Sequence, residues 1–478
     1  MTSSPTPPFQ YAHAGWSGCA GLATADITPP LGVYSRCWGA AEHDVATAIH
    51  RPLILTALAL RADENSPPLV LVDADLGWWQ TLETFQQLQT TVLQEFSLAP
   101  EQFLFGLAHN HASPPLAELD PGLPGQTLQQ QWLEDLQATL IRTIRAALDN
   151  TFAATLDWQT GRCSLATNRD LIDPNVSTDR VLCGFNPTAQ ADDTLLVGRL
   201  TDNVGALRGV LVNYACHPTT LAWENHAISP DYLGAMRELI AQQTGATALF
   251  LQGASGDLAP RYQYVADTET VDRHGRQLAY AALATLENME PPGTNLVYRE
   301  VVESGASLAV WRHEPATPSS QLTAIESSVE VPLKDWPSAA EFERQRAACT
   351  NRAIAERLRR KRDIRRSLGD EDTYSLPIWA WRIGDAILIG SMAESYSILQ
   401  LELRRRFPKQ TIICVNLLNG SVGYLPPAPL YHIDIYPVTQ TPFDLGALEE
   451  TIEAMSQVVR QLTSPTNANR LLQKVLSW

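Results

Sequence analysis

Short continuous apolar runs recur along this chain, each closed by Gly, Pro or a polar residue: LILTALAL (53–60), LVLVDADL (69–76), FLFGLAH (103–109), GVLVNYACH (209–217), ALFLQGA (248–254), AILIGSMA (386–393) and IICVNLL (412–418). Runs of this length, rich in Val, Ile and Leu, predict buried strands. Between them, apolar residues recur at helical spacing over 82–96, 129–148 and 232–245. The alternation predicts an α/β protein with central mixed β-sheets flanked by helices. From Ser338 to Leu368 the pattern predicts one long helix, whose end ERLRRKRDIRR carries Arg357, Arg359, Arg360, Lys361, Arg362, Arg365 and Arg366. The expectation is a solvated arm laced with i,i+4 ion pairs, rather than a nucleic-acid or lipid surface.

Composition narrows the class. At 478 residues and 45% hydrophobic the chain can bury a large core, and 32 prolines with few polar tracts indicate ordered loops. Residues 1–14 read as a flexible Pro/Ser-rich lead. A net charge of -17 argues against nucleic acid as the main partner, because such binders need a basic footprint. The seven cysteines are scattered with no CxxC pair, which indicates neither a disulfide framework nor a thiolate zinc site. The N-terminus lacks a basic region followed by an apolar run, and no uncharged apolar stretch reaches membrane-spanning length. The expectation is a soluble cytoplasmic protein with no transmembrane segment.

Candidate chemistry clusters where strands end, the place where open α/β sheets build their sites. In FLFGLAHNHASPP, His109 and His111 lie two apart; in extended chain they point to one face, so one imidazole can bind a metal while the other handles a proton. His217 ends GVLVNYACHP, and Cys216 beside it points to the opposite side as packing. The turn FLQGASGDLAPR (250–261) holds Ser255 and Asp257; its glycines admit close backbone approach, and it matches no phosphate-cradling motif. Glu394 lies at a strand–helix junction, Tyr424 follows a Gly-rich turn, and Tyr436 comes twelve residues later. Two histidines from separate strand ends plus a carboxylate are the usual donors of a catalytic zinc site.

Read together, ATADITPPLG (23–32), IHRPL (49–53), LAHNHASP (107–114), TNRDL (167–171), VNYACHPTTL (212–221), ISPDYLG (228–234), LQGASGDLAP (251–260), MAES (392–395) and NGSVGYLPP (419–427) resemble the N-terminal catalytic domain of the neutral/alkaline non-lysosomal ceramidases. The resemblance spans roughly residues 15 to 440 and implies one large catalytic domain over 15–478. It implies a Zn2+ site made by His109, His217, Glu394 and Tyr424, with Tyr424 as a ligand or as a neutral hydrogen-bond donor beside the metal. It also implies a catalytic group of His111, Arg169 and Tyr436, and hydrolysis of an N-acyl amide by a metal-activated water. His111 would serve as base and then acid, while Arg169 and Tyr436 hold the substrate or its oxyanion. Asp257 is expected as a turn-former or as a partner orienting a ligand histidine, and Ser255 as a backbone-capping serine. Two departures stand out: Ala259 occupies the place of the family's serine in the glycine-rich turn, and the chain ends before the family's C-terminal immunoglobulin-like domain. Both point to a small-molecule or lipid-like amide other than bilayer ceramide. The alternatives are a metal-dependent esterase on the same site, and a binding protein that kept the fold without catalysis.

Overall fold

The apolar runs are strands of two mixed sheets in the computed structural model, which describes residues 9–13, 15–176 and 180–464. The larger sheet contains β1 (Trp16–Asp26), β2 (Ile54–Arg61), β3 (Leu69–Ala74), β4 (Phe103–Leu107), β5 (Thr151–Arg162), β6 (Thr194–Asp202), β7 (Leu207–Tyr214) and β8 (Thr247–Gln252). Their order is β8-β7-β6-β5-β1-β2-β3-β4. Only the two outermost pairs, β7–β8 and β3–β4, are parallel. A four-stranded sheet follows in the order β9 (Leu322–Pro332), β10 (Thr373–Ile383), β11 (Ala386–Gly390) and β12 (Thr411–Val415), with β11–β12 parallel.

The period of two along each strand divides the core into layers. Leu58, Leu60, Leu69 and Leu71 face the smaller sheet, packing in one cluster with Trp381, Ile387 and Leu388. Their neighbours Ala57, Ala59, Val70 and Val72 face α1 (Leu82–Phe96) and α2 (Gln126–Asp149), against Phe85, Trp132 and Leu140. At the other end of the sheet, Val210, Val212 and Phe250 pack under α3 (Tyr232–Thr244) and α4 (Thr268–Glu287).

The edges of the larger sheet come together, and this closure decides where the site lies. The Phe250 N–H in β8 donates to Asp73 of β3 at 2.7 Å. Arg237 of α3 pairs with Asp73 at 2.8 Å and Asp75 at 3.0 Å. The chain after β12 fills the seam. Asn416 N–H donates to the Gln252 carbonyl at 2.8 Å. The Asn419 side chain accepts from Phe105 N–H at 2.7 Å and donates to the Phe103 carbonyl at 3.0 Å.

Two expectations need correction. The charged segment is two helices, α5 (Ala339–Ala348) and α6 (Arg352–Leu368), because Asn351 turns its side chain onto Ala353 and Ile354 N–H at 3.0 Å and starts a new helix. Nor is α6 a solvated arm: Glu356, Arg362 and Asp363 are buried, and the ion pairs Glu356–Arg359, Glu356–Arg360 and Arg359–Asp363 form against the body of the protein. Of the Pro/Ser-rich lead, residues 1–8 lie outside the described residues. Gln10–Tyr11 pairs antiparallel with Val297 and Leu296, so ordered chain begins before residue 15. No helix among the described residues is long and apolar enough to cross a membrane.

Candidate metal centre

Strand β4 stops at Leu107, and the backbone then turns. Ala108 N–H bonds the Ala74 carbonyl and His109 N–H the Leu76 carbonyl, at 2.9 and 2.8 Å. His109 sits at φ +66°, in the left-handed region that costs a β-carbon residue energy. Asn110 holds the turn, donating to the Asp75 carbonyl at 2.6 Å and accepting from Ala112 N–H at 3.1 Å. His109 and His111 therefore converge through a left-handed turn, not along extended chain; their ring centroids lie 5.0 Å apart.

His217 arrives from across the closed seam, with its ring centroid 4.8 Å from that of His109. Its Nδ1–H faces the carbonyls of Ser255 at 2.7 Å and Leu258 at 3.1 Å, which fixes the proton there and leaves the Nε2 lone pair facing the cluster. The ligand nitrogens of His109, His111 and His217 all lie within 4.8 Å of one another.

The glycine-rich turn supplies those carbonyls. Gly256 is closely packed: a β-carbon would stand 3.0 Å from the Ser395 carbonyl and 3.1 Å from that of Glu394, so the neighbouring backbone would have to give way. The Asp257 carboxylate accepts from Ser397 N–H and Oγ–H, both at 2.7 Å, and so ties this turn to the chain just after Glu394. Orienting His217 thus falls to backbone carbonyls. Ser255 Oγ accepts from Gln252 Nε2 at 2.7 Å, and Ala259 is fully buried.

Glu394 and Tyr424 are register partners in a two-residue parallel ladder. One Glu394 oxygen lies 3.1 Å from His109 Nε2 and 3.4 Å from His217 Nε2. Burial pushes the Glu394 carboxyl up, but the two imidazoles outweigh it and hold it well below the ordinary range. Burial, reinforced by the Arg169 charge, lowers His217 to about 3. His111 is held well below its usual value by burial and then by the two neighbouring rings. Burial and the Glu394 charge raise the Tyr424 phenol well above its usual value, so it stays protonated in the metal-free protein.

Arg169 is buried and donates Nε–H to the Gly256 carbonyl at 3.0 Å, with its guanidinium 5.6 Å from the Tyr424 ring centroid. Burial opposes its charge, yet Tyr424 and its other neighbours hold its pKa well above the ordinary value. Tyr436 lies against Tyr424, with centroids 5.9 Å apart. These residues line a cavity of about 640 Å³, a size that suits a small molecule. Trp38 and Trp78 flank His111 at 5.1 and 4.9 Å, and helix α6 closes one wall with Arg357, Arg359 and Arg360. The candidate residues chosen from sequence included none of these five. The GWW at the end of the β3 run was a visible signal for Trp78, whereas Trp38 sits in a segment with no periodic pattern.

The fold is that of the neutral ceramidases. It is similar to the crystal structure of neutral ceramidase from Pseudomonas aeruginosa, with a TM-score of 0.62 and 16% identity over 92% of this chain and 73% of that one. It is also similar to a ceramidase complexed with C2, with a TM-score of 0.65 and 16% identity over 94% of this chain and 76% of that one. No protein-family model matches the sequence, and no curated protein matches it.

Proposed function

We propose that this chain is a metal-dependent hydrolase of N-acyl amides, with Zn2+ held by His109, His217, Glu394 and Tyr424. The observation that carries this reading is the convergence of three imidazoles, within 4.8 Å of one another, beside a buried carboxylate on a cavity wall. The Nε2 atom of His111 is buried without a hydrogen-bond partner among the described residues, and that of His217 meets only the Glu394 carboxylate at 3.4 Å, a costly state unless something occupies those lone pairs. Nitrogen and carboxylate donors without thiolate suit zinc, and two histidines with one glutamate are a known catalytic set. The likeness to ceramidases in fold is a second, weaker support.

When bound, the ion supplies Lewis acidity, making water nucleophilic near neutral pH and polarising a carbonyl. The neutral His111 ring, held by Trp38 and Trp78, takes the water's proton at Nε2 and returns it to the leaving amine. Arg169, with a buried Nη2 that has no partner among the described residues, and the Tyr436 phenol stabilise negative charge on the carbonyl oxygen. Tyr424, neutral without the ion, would hold it through the phenol oxygen or would stand beside it as a hydrogen-bond donor. No side-chain nucleophile is required, which fits Ala259.

A second ligand set is favoured by one observation: His111 falls in the same nitrogen cluster as His109 and His217, so all three can be ligands. Metal analysis of the purified chain decides the first question, followed by chelation, zinc restoration and a panel of soluble N-acyl amides with matched esters. Amide hydrolysis that is lost on chelation and returns with zinc is the expected result. Failure to bind zinc, or full activity without metal, overturns the proposal. Ester cleavage without amide cleavage would make the chain an esterase.

A further inference from the structure

Two kinds of wall enclose the cavity. On the His111 flank stand Trp38 and Trp78, extended by Trp223 and Tyr264, whose rings lie 6.3 and 5.8 Å from Trp38. On the Glu394 flank stand Tyr424 and Tyr436, with guanidinium groups around them.

The arginines are not equivalent. Arg359 and Arg360 share Glu356 at 2.7 and 3.0 Å, and Arg180 reaches Asp173 at 3.5 Å. Arg169 and Arg357 have no carboxylate ion pair among the described residues. Arg169 is buried with one nitrogen unpartnered. Arg357 is exposed, its guanidinium 5.8 Å from the Tyr436 ring centroid. None of the lining carboxylates makes an ion pair with Arg357 among the described residues: Glu356 sits between Arg359 and Arg360, and Glu394 lies against His109 and His217. The cavity wall thus offers, at Arg357, a guanidinium with no carboxylate partner among the described residues, in a chain whose net charge is -17.

The geometry points to an anionic amphiphile as substrate: an N-acyl amino acid whose carboxylate pairs with Arg357 and whose apolar acyl chain lies along Trp38, Trp223 and Tyr264. The amide between them then meets the histidine cluster. This assignment rests on reading the cavity as the substrate site. A neutral amide meets Arg169 through its carbonyl but leaves Arg357 to solvent, whereas a carboxylate forms a charge-assisted, forked pair with that arginine.

The test uses binding, so that it is independent of turnover. The full-length chain, stripped of metal to prevent carboxylate–metal contact, is titrated with N-lauroylglycine and with N-lauroylethanolamine below micelle-forming concentrations. Binding is read by the fluorescence of the cavity tryptophans, at low and at high salt. Wild type should prefer the glycine conjugate roughly tenfold at low salt and less at high salt. Arg357→Gln should cut that preference to about twofold, and Arg357→Lys should retain most of it. Equal binding of the two ligands, no binding of either, or a preference that survives Arg357→Gln overturns the inference. Preference without hydrolysis of any amide by the zinc-loaded chain would overturn the amidase reading alone. Hydrolysis of both amides without preference would overturn only the anionic substrate.

Discussion

Replacing Asp257 by Ala should loosen the candidate centre without touching any proposed ligand. The carboxylate accepts two hydrogen bonds from Ser397, each 2.7 Å, and both residues are buried. Bonds to an ionised acceptor contribute about 1.5–3 kcal/mol each, so the gross loss is about 3–6 kcal/mol. Burial of the carboxylate, which raises its pKa, offsets part of this, and the net cost is about 2–4 kcal/mol. Asp257→Asn keeps an acceptor for Ser397 N–H and a donor for its Oγ, and should cost about 1 kcal/mol. The same contact ties the turn that presents the Ser255 and Leu258 carbonyls to the chain beyond Glu394, so zinc affinity should fall by about 10–100-fold in Asp257→Ala. Urea unfolding of both variants, of Ser397→Ala and of the double variant Asp257→Ala/Ser397→Ala, combined as a double-mutant cycle, measures the first quantity, and competition with a chromogenic chelator the second. Stability within about 0.5 kcal/mol of wild type would show that this contact does not hold the turn. Unchanged zinc affinity in a destabilised Asp257→Ala would show that the turn does not orient His217.

His111→Ala should keep its zinc and lose about 10²–10⁴-fold in turnover, the scale of a general base; loss of the metal by elemental analysis would make His111 a ligand instead. Ser255→Ala removes only the acceptor for Gln252 Nε2, which also donates to the Cys216 carbonyl at 3.1 Å, and should cost about 1 kcal/mol with little change in turnover. A covalent adduct on Ser255, detected by mass spectrometry, would refute the water-based reading. His274 on α4 is held neutral by burial, its pKa lowered to about 4. Above pH 6.5 its ring is neutral in both states; as pH falls from 6.5 to 4 only the unfolded chain takes the proton, so stability declines. Discounted for its partial exposure, this amounts to about 2 kcal/mol by pH 4. As pH falls across that window the wild-type unfolding midpoint should drop relative to that of His274→Gln, with no change in their difference above it; a pH-independent difference, or a relative rise of wild type, would refute it.

The strands buried on both faces were legible because such a strand declares itself through its own residues, whatever its partners. Each apolar run of the sequence contains one, and Leu82–Phe96 is a helix over the predicted span. The half-polar strands β1, β5 and β6, with WSGCAGLATAD in β1, were missed: Gly, Thr and Asp weaken the local pattern, and antiparallel neighbours on both sides hold them in place. The histidines and Glu394 were likewise visible as polar residues at the ends of apolar runs. Their meeting was not, because it depends on the sheet closing edge to edge. Asn213, bridging the Leu251 and Cys414 carbonyls, together with Asn419 and Arg237, fastens that closure. A polar side chain of this kind carries no signal until its buried partners are in place. The same holds for α6, whose charges are plain in sequence while the cavity it faces exists only in the fold. Sequence determined which segments must be buried; tertiary structure decided which of their ends share a site, because that depends on contacts between residues hundreds of positions apart.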